Sequence, residues 1–141
     1  MDVTAYSIAK NFIGMKEVPG MKDNPFIVWC LSTCGLPEMH DEVPWCSAFV
    51  NGIAFILGLS MRSNSAMARS WLLVGDSVEL DSAGIGFDVC IFKRGTGWQG
   101  HVGFFGGIED NKIKLLGGNQ KDSVSEELFE TDRLLGIRRL V

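Results

Sequence analysis

Cysteine and histidine are the side chains in this sequence best suited to nucleophilic chemistry near neutral pH. The chain has four cysteines and two histidines. Cys46 stands in Pro44-Trp45-Cys46-Ser47, where a proline-bounded loop turns into an apolar helix. In the first turn of a helix, free backbone N–H groups and the positive end of the helix dipole favour a thiolate, the nucleophilic form. This position predicts a reactive cysteine, whereas Cys90, between apolar residues of a predicted strand, is typical of a core.

His101 is the candidate base for that cysteine. It lies in Gly100-His101-Val102-Gly103, at the start of a predicted strand, and the flanking glycines allow a substrate to approach closely. A neighbouring imidazole can take the proton of a thiol and so activate the sulfur for attack on a carbonyl carbon. The other histidine, His40, lies in a polar loop, and a structural role is the alternative for either ring.

A third polar group is needed to orient the imidazole through its second nitrogen. The strand that carries His101 pairs with the next strand in a predicted hairpin, after which the chain continues through two glycines to Asn119. Counting back across the turn brings Asn119 to the level of His101, where its amide carbonyl can accept the ring N–H. The alternative is that the glycines form a β-bulge and Asn119 is an ordinary turn residue.

Hydrophobic periodicity predicts the elements that must position these groups. The predicted helices are 3–12, 26–33, 45–57 and 63–73, and the predicted strands are 87–92, 101–108, 112–116 and 134–140. Helices followed by antiparallel strands are typical of an α+β fold. Cys46 then begins the third helix and His101 a central strand. We therefore expect a cleft between that helix and a sheet of about four to six strands.

Composition and charge limit the classes of protein to consider. The 141 residues fit one domain, predicted to span 1–141, since domains cluster at about 100–150 residues. A net charge of −4 argues against nucleic-acid binding through a broad basic surface. The apolar run 48–59 is shorter than the roughly 20 residues of a membrane span, so no stable membrane association is expected. The N-terminus lacks the pattern of a Sec signal, which predicts synthesis in the cytoplasm.

The cysteines and carboxylates do not predict a metal site. Cys30 and Cys34, four residues apart on a predicted helix, lack two further ligands for zinc, and four cysteines are too sparse for a disulfide framework. Asp41 and Glu42 are adjacent carboxylates without the spacing of an EF-hand loop, which favours a solvated loop over a calcium site. We expect neither a metal nor an organic cofactor.

Four segments occur along the chain in the order PWCSAFVN (44–51), ARSWL (68–72), GHVGFF (100–105) and LGGNQ (116–120). Together they resemble the CHAP and NlpC-type papain-like amidohydrolases that cut bacterial peptidoglycan. The likeness covers nearly the whole chain and is strongest to a compact phage-endolysin-like group. It implies a papain-like fold with N-terminal helices packed on a C-terminal antiparallel sheet. It places the family's nucleophile on Cys46, its base on His101 and its orienting polar residue on Asn119, where NlpC-type members often have a second histidine.

The resemblance also implies a function, a cysteine hydrolase of amide bonds in peptidoglycan. The enzyme is expected to be an endopeptidase or an N-acetylmuramoyl-L-alanine amidase without a separate wall-binding module. We expect a monomeric phage endolysin, made in the host cytoplasm and acting on the cell wall in the periplasm. The alternatives are an interbacterial toxin with the same chemistry, an inactive wall- or protein-binding module of the same fold, and a papain-like enzyme that deamidates or transfers groups onto a protein.

Four side chains are candidate substrate contacts. Trp45 and Trp98 flank the proposed cysteine and histidine and are predicted to line a groove, with a place in the core as the alternative. Arg69 is predicted to meet a carboxylate of the stem peptide, with a surface salt bridge as the alternative. Gln120, next to Asn119, is a candidate groove residue.

Overall fold

Helices precede strands along the chain, as the hydrophobic periodicity predicts. The structure is a computed structural model that describes residues 3–17, 24–35, 45–95, 97 and 99–141. Its α-helices are α1 (Ala5–Ala9), α2 (Pro25–Ser32) and α3 (Cys46–Ile56). Its strands are β1 (Asp76–Ser77), β2 (Asp88–Lys93), β3 (Gly100–Glu109), β4 (Lys112–Gln120), β5 (Ser123–Phe129) and β6 (Leu134–Arg139). Short 3-10 helices lie at Lys10–Phe12, Ala68–Leu73, Leu80–Ser82 and Thr131–Arg133.

The start of each helix shows how its free backbone N–H groups are used. Thr4 caps α1 by accepting from the backbone N–H of Ser7, and Asn24 caps α2 through its side chain. Trp45, the cap residue of α3, makes no such side-chain hydrogen bond. The first turn of α3 therefore begins without a capping side chain, next to Cys46.

The described strands form one antiparallel sheet in the order β1-β6-β2-β3-β4-β5. Successive hairpins join β3, β4 and β5, and β6 returns to pair with the other edge of β2. The predicted α+β class with helices before an antiparallel sheet is therefore confirmed. Two strands, β1 and β5, were not predicted. Much of β5 is half-buried, and it lacks the continuous apolar run that marks a core strand.

The predicted helix 63–73 is wrong in its first half. Only Ala68–Leu73 is helical, as a 3-10 helix. Asn64 has a left-handed φ of 54°, and its backbone N–H donates to Oδ1 of Asn51 at 3.1 Å. The buried Asn51 amide also donates to the Ser65 carbonyl at 3.2 Å. These bonds to α3 hold the segment in an irregular conformation instead of a helical turn.

The two faces of the sheet carry different apolar cores. Val102 and Phe104 of β3 join the helices in one core, in which every residue of α3 from Cys46 to Ala54 is buried. Phe92 and Leu115 belong to the second core, on the opposite face. None of the helices in the described part of the chain has the length and apolar character to cross a membrane.

The sheet curls strongly around its second core. Phe92 on β2 and Phe129 on β5 have ring centroids 5.0 Å apart, although β3 and β4 lie between their strands. In a flat sheet those strands would lie about 14 Å apart. The curl therefore brings β5 over the start of β3, where His101 lies.

Candidate active site

Cys46 is the first residue of α3 and is hydrogen-bonded on several sides. Its sulfur forms a hydrogen bond with the side chain of His101 and accepts hydrogen bonds from the backbone N–H groups of Val102 and Ser47. Burial, which leaves the residue 5% exposed, raises the pKa of the thiol. The hydrogen bond and charge of His101, together with the two N–H groups, outweigh burial and bring the pKa of Cys46 below its ordinary value. The helix start and the beginning of β3 thus jointly favour a thiolate.

His101, the second residue of β3, has the opposite shift. Burial lowers the pKa of this ring, which is 6% exposed, but the hydrogen bond and negative charge of Cys46 raise it. The hydrogen bond to Gln120 adds to the rise, while the charge of Arg94 opposes it. The net result is a pKa of His101 above its ordinary value. A lowered thiol pKa beside a raised imidazole pKa is the signature of a thiolate–imidazolium pair.

Gln120 fixes the orientation of the imidazole. Its Oε1 lies 2.8 Å from Nε2 of His101. Its amide nitrogen donates to the carbonyls of Ser125 at 2.9 Å and of Leu115 at 3.3 Å. Because the amide nitrogen is committed to these carbonyls, the oxygen must face the ring, and Nε2 of the ring carries a hydrogen. Nδ1 is then the nitrogen that faces the thiol of Cys46.

The predicted position of the orienting residue is wrong by one. Gln120, not Asn119, holds the second nitrogen of His101. Asn119 has a left-handed φ of 58°, and the pairing of β4 with β5 shifts between Gly117 and Gln120. Such a bulge adds one residue to a strand and, since side chains alternate with period two, exchanges which residue faces a given side. The count across the hairpin assumed regular pairing and therefore selected the neighbouring amide.

The two glycines before Asn119 allow close packing at the site. A Cβ on Gly117 would lie 2.7 Å from Oε1 of Gln120, and a Cβ on Gly118 would lie 2.5 Å from the ring of Trp45. Contacts this short do not occur in well-packed structures, so both positions need glycine. The end of β4 thus packs directly on the residue before Cys46, while it also holds the amide that orients His101.

One ring near the site was not predicted. Phe129 of β5 stacks on His101 with ring centroids 5.3 Å apart and an interplanar angle of 15°. Because β5 was not predicted, no feature of the sequence selected this residue. The segment Ser123–Phe129 has no regular alternation of apolar and polar residues, so hydrophobic periodicity gave no signal for this strand.

The predicted substrate contacts have other roles in the structure. Trp45 is fully buried, and its indole N–H donates to Oε1 of Glu17 at 2.8 Å, so it is a core residue and does not line a groove. Arg69 donates through Nε and Nη2 to the Gln99 carbonyl at 3.1 and 3.0 Å, which ties its helix to the chain before β3. Gln120 is buried against His101. Trp98 lies outside the described residues.

The remaining cysteines differ from Cys46 in their environment. Burial raises the pKa values of Cys30, Cys34 and Cys90. Among the four cysteines, all of which the structure describes, Cys46 therefore has the sole lowered pKa. Within the described ranges, no group of three or more His, Cys, Asp or Glu side chains is placed to hold a metal ion. His40, Asp41 and Glu42 lie outside those ranges.

Two solved structures resemble the fold of this protein over nearly the whole chain. NlpC1 from Trichomonas vaginalis is 18% identical, with a TM-score of 0.58, over 96% of this chain and 42% of that one. An NlpC/P60 family protein from Bacillus cereus ATCC 10987 is 17% identical, with a TM-score of 0.59, over 97% of this chain and 39% of that one. The fold is that of NlpC/P60 proteins.

The NlpC/P60 fold confirms the NlpC-type papain-like architecture that the sequence segments indicated. The chain spans well under half the length of either neighbour. No protein family model matches the chain, and no curated protein sequence matches it. At this level of identity the likeness concerns the fold, and the chemistry must be argued from the residues of the site.

Proposed function

We propose that this protein is a cysteine hydrolase that cuts amide bonds in bacterial peptidoglycan. The observation that carries the proposal is the hydrogen-bonded series from Cys46 through His101 to Gln120, with a lowered thiol pKa and a raised imidazole pKa. A buried cysteine without a catalytic role has a raised pKa, as Cys30 does. The arrangement supports an active enzyme over an inactive binding module of the same fold.

The mechanism follows from the positions of these groups. The thiolate of Cys46 attacks the carbonyl carbon of the amide, and His101 gives its proton to the leaving nitrogen as the C–N bond breaks. The amine then departs and leaves a thioester on Cys46. His101 next takes a proton from water, whose oxygen attacks the thioester, and the proton returns to the sulfur as the acid product leaves. Gln120 keeps the imidazole in the required orientation throughout.

The tetrahedral intermediate carries a negative oxygen that needs hydrogen-bond donors. The backbone N–H of Cys46 lies at the start of α3, where Trp45 provides no capping side chain. A free N–H at a helix start is suited to this role. We assign the first oxyanion donor to this group.

Peptidoglycan is the proposed substrate because the NlpC/P60 fold and the four sequence segments point to the same class of enzyme. The finer proposal is a phage endolysin that is made in the host cytoplasm and reaches the wall in the periplasm. An interbacterial toxin would use the same residues. Either role requires an enzyme that cuts the stem peptide or the bond that joins it to the glycan.

Digestion of purified peptidoglycan, followed by mass spectrometry of the soluble products, tests the proposed function. We expect new free amino and carboxyl groups at one amide bond, and the masses identify an endopeptidase or an amidase. Cys46→Ala is the matched inactive control, because alanine is tolerated at a helix start. Products that arise by cleavage of the glycan, or unchanged digestion by Cys46→Ala, would refute the assignment.

A further inference from the structure

A cavity of about 400 Å³ opens beside His101 on the face of the sheet that carries the second core. We call it the basic cavity. Its rim has Lys93, Arg94, Lys121 and Arg133, and its floor has Phe92 and Phe129. The volume is within the range of about 300–1,000 Å³ that is usual for small-ligand sites. It is therefore large enough for part of a peptide.

The charge of the basic cavity is opposite to that of the whole chain. Four cationic side chains line it, against one carboxylate, Glu127, which is paired with Lys121 at 3.1 Å. Within the described residues, no carboxylate forms a salt bridge with Lys93, Arg94 or Arg133. Unpaired cations concentrated in a concave site of a chain with net charge −4 favour an anionic ligand. Arginine binds carboxylates through two parallel hydrogen bonds, which suits this chemistry.

The position of the basic cavity indicates which half of the substrate it receives. Amide hydrolysis yields an acyl half, which becomes bonded to Cys46, and an amine half, which takes a proton from His101. His101 lines the cavity, while Cys46 is not among its described lining residues. The cavity therefore adjoins the base and not the nucleophile, and the base is the group that gives its proton to the amine half.

We propose that the basic cavity binds a free carboxylate carried by the amine half of the substrate. The proposal rests on the cysteine hydrolase function above and adds the chemistry of the leaving fragment. The carboxylate pairs with Arg94 and Arg133, while the apolar part of the same fragment lies against Phe129. A carboxylate at Arg94 also offsets the charge that opposes protonation of His101, the proton donor for that fragment.

Two peptide substrates that differ at one group test this proposal. Both contain the amide bond identified by the peptidoglycan digestion, and the amine half ends in a free carboxylate in one and in a carboxamide in the other. We expect the wild-type kcat/KM for the carboxylate peptide to exceed that for the carboxamide peptide by about tenfold or more. This is the ratio that corresponds to the loss of one charge-assisted hydrogen bond. Arg94→Gln and Arg133→Gln should each reduce this preference by about tenfold, with the change mainly in KM.

The matched control is Arg62→Gln, which removes the same charge elsewhere. Arg62 lies over the ring of Phe55, at the far end of α3 and about 15 Å along that helix from Cys46. It should keep the wild-type preference. Equal use of both peptides by active wild-type enzyme, or the same loss of preference in Arg62→Gln, would overturn the carboxylate site alone. A wild-type enzyme that cuts no amide of peptidoglycan would instead overturn the proposed function.

Discussion

Cys46 of α3, His101 of β3 and Gln120 of β4 form a hydrogen-bonded series at the proposed active site. The contacts in this series set the protonation of the thiol and of the imidazole. His101 stabilises the thiolate of Cys46, Cys46 stabilises the imidazolium of His101, and Gln120 accepts the hydrogen on Nε2. The lowered pKa of Cys46 and the raised pKa of His101 both favour the thiolate–imidazolium form of the pair. Activity should fall on the acid side as Cys46 takes a proton and on the alkaline side as His101 loses one.

The first prediction concerns the reactivity of Cys46. Iodoacetamide at about pH 7 should alkylate Cys46 before the other cysteines, since an unperturbed thiol, with a pKa of about 8.5, is mostly protonated there. His101→Ala should slow alkylation of Cys46 at least about tenfold at this pH, because the largest contact that lowers the pKa of the thiol is lost. Mass spectrometry of labelled peptides gives the rate at each cysteine, and Cys30 and Cys90 serve as internal controls. Faster labelling of Cys30, with activity retained, would contradict the assignment.

The second prediction separates Gln120 from Asn119. Gln120→Ala should reduce kcat by about tenfold to a hundredfold, because it removes the acceptor that orients the imidazole. It should also move the alkaline limb of the pH profile to lower pH, since the Gln120 hydrogen bond raises the pKa of His101. Asn119→Ala should cost less activity and should leave that limb in place.

Double substitution gives a further check on the role of Gln120. Because residues that act as one unit lose activity non-additively, His101→Ala with Gln120→Ala should be little worse than His101→Ala alone. Gln120→Glu keeps an acceptor and should restore part of the activity. If Asn119→Ala were the more damaging substitution and moved the alkaline limb, the assignment of the orienting role to Gln120 would be incorrect.

At the scale of elements, the end of β4 determines how the start of α3 meets β3. Gly118 lies against the ring of Trp45, and Gly117 lies against the amide of Gln120. The bulge at Asn119 turns the amide of Gln120 towards His101. A short glycine-containing segment thus sets both the approach of the helix and the orientation of the base.

The third prediction tests this packing. Gly118→Ala places a methyl group 2.5 Å from the buried indole of Trp45 and should lower the free energy of unfolding by about 1–3 kcal/mol. Urea unfolding measures the change. Gly84→Ala is the control, since a Cβ there would meet nothing within 4 Å, and it should be neutral or slightly stabilising. Equal stability of the two variants would show that β4 does not press on Trp45.

At the scale of the whole molecule, the curl of the sheet connects β5 to the site. Phe129 stacks on both Phe92 and His101, although its own strand pairs only with β4 in the sheet. This contact covers one side of the imidazole and forms the floor of the basic cavity. The shape of the complete sheet therefore places the ring of Phe129 against the base.

The fourth prediction concerns Phe129. Phe129→Ala should lower the free energy of unfolding by about 2–4 kcal/mol, because it opens the contact between β5 and β2. The ring of His101 should become more exposed to water. NMR detects this as faster exchange of its ring N–H hydrogen with solvent. Ile108→Ala, at an exposed position on β3, is the control and should cost less. A loss no larger than that of the control would contradict the proposed packing of β5.

The sequence by itself determined the features that depend on neighbouring residues. Apolar periodicity and capping residues indicated the core strands and the helices within a few positions, except in the first half of the segment 63–73, and the start of α3 identified Cys46. The glycine-flanked beginning of β3 identified His101 in the same way. These signals are local, because a helix start or a strand start is defined by a few consecutive residues.

Only the tertiary structure decided which residues complete the site. Gln120 faces His101 because a bulge in β4 exchanges which residues face each side of the sheet. A count that assumes strict period-two alternation cannot include an extra residue whose position is unknown. Trp45 is in the core because Gly118 of a distant strand lies against it. Phe129 lies beside His101, and the basic cavity forms there, because the sheet curls across three strand spacings. That curl is a property of all the strands together.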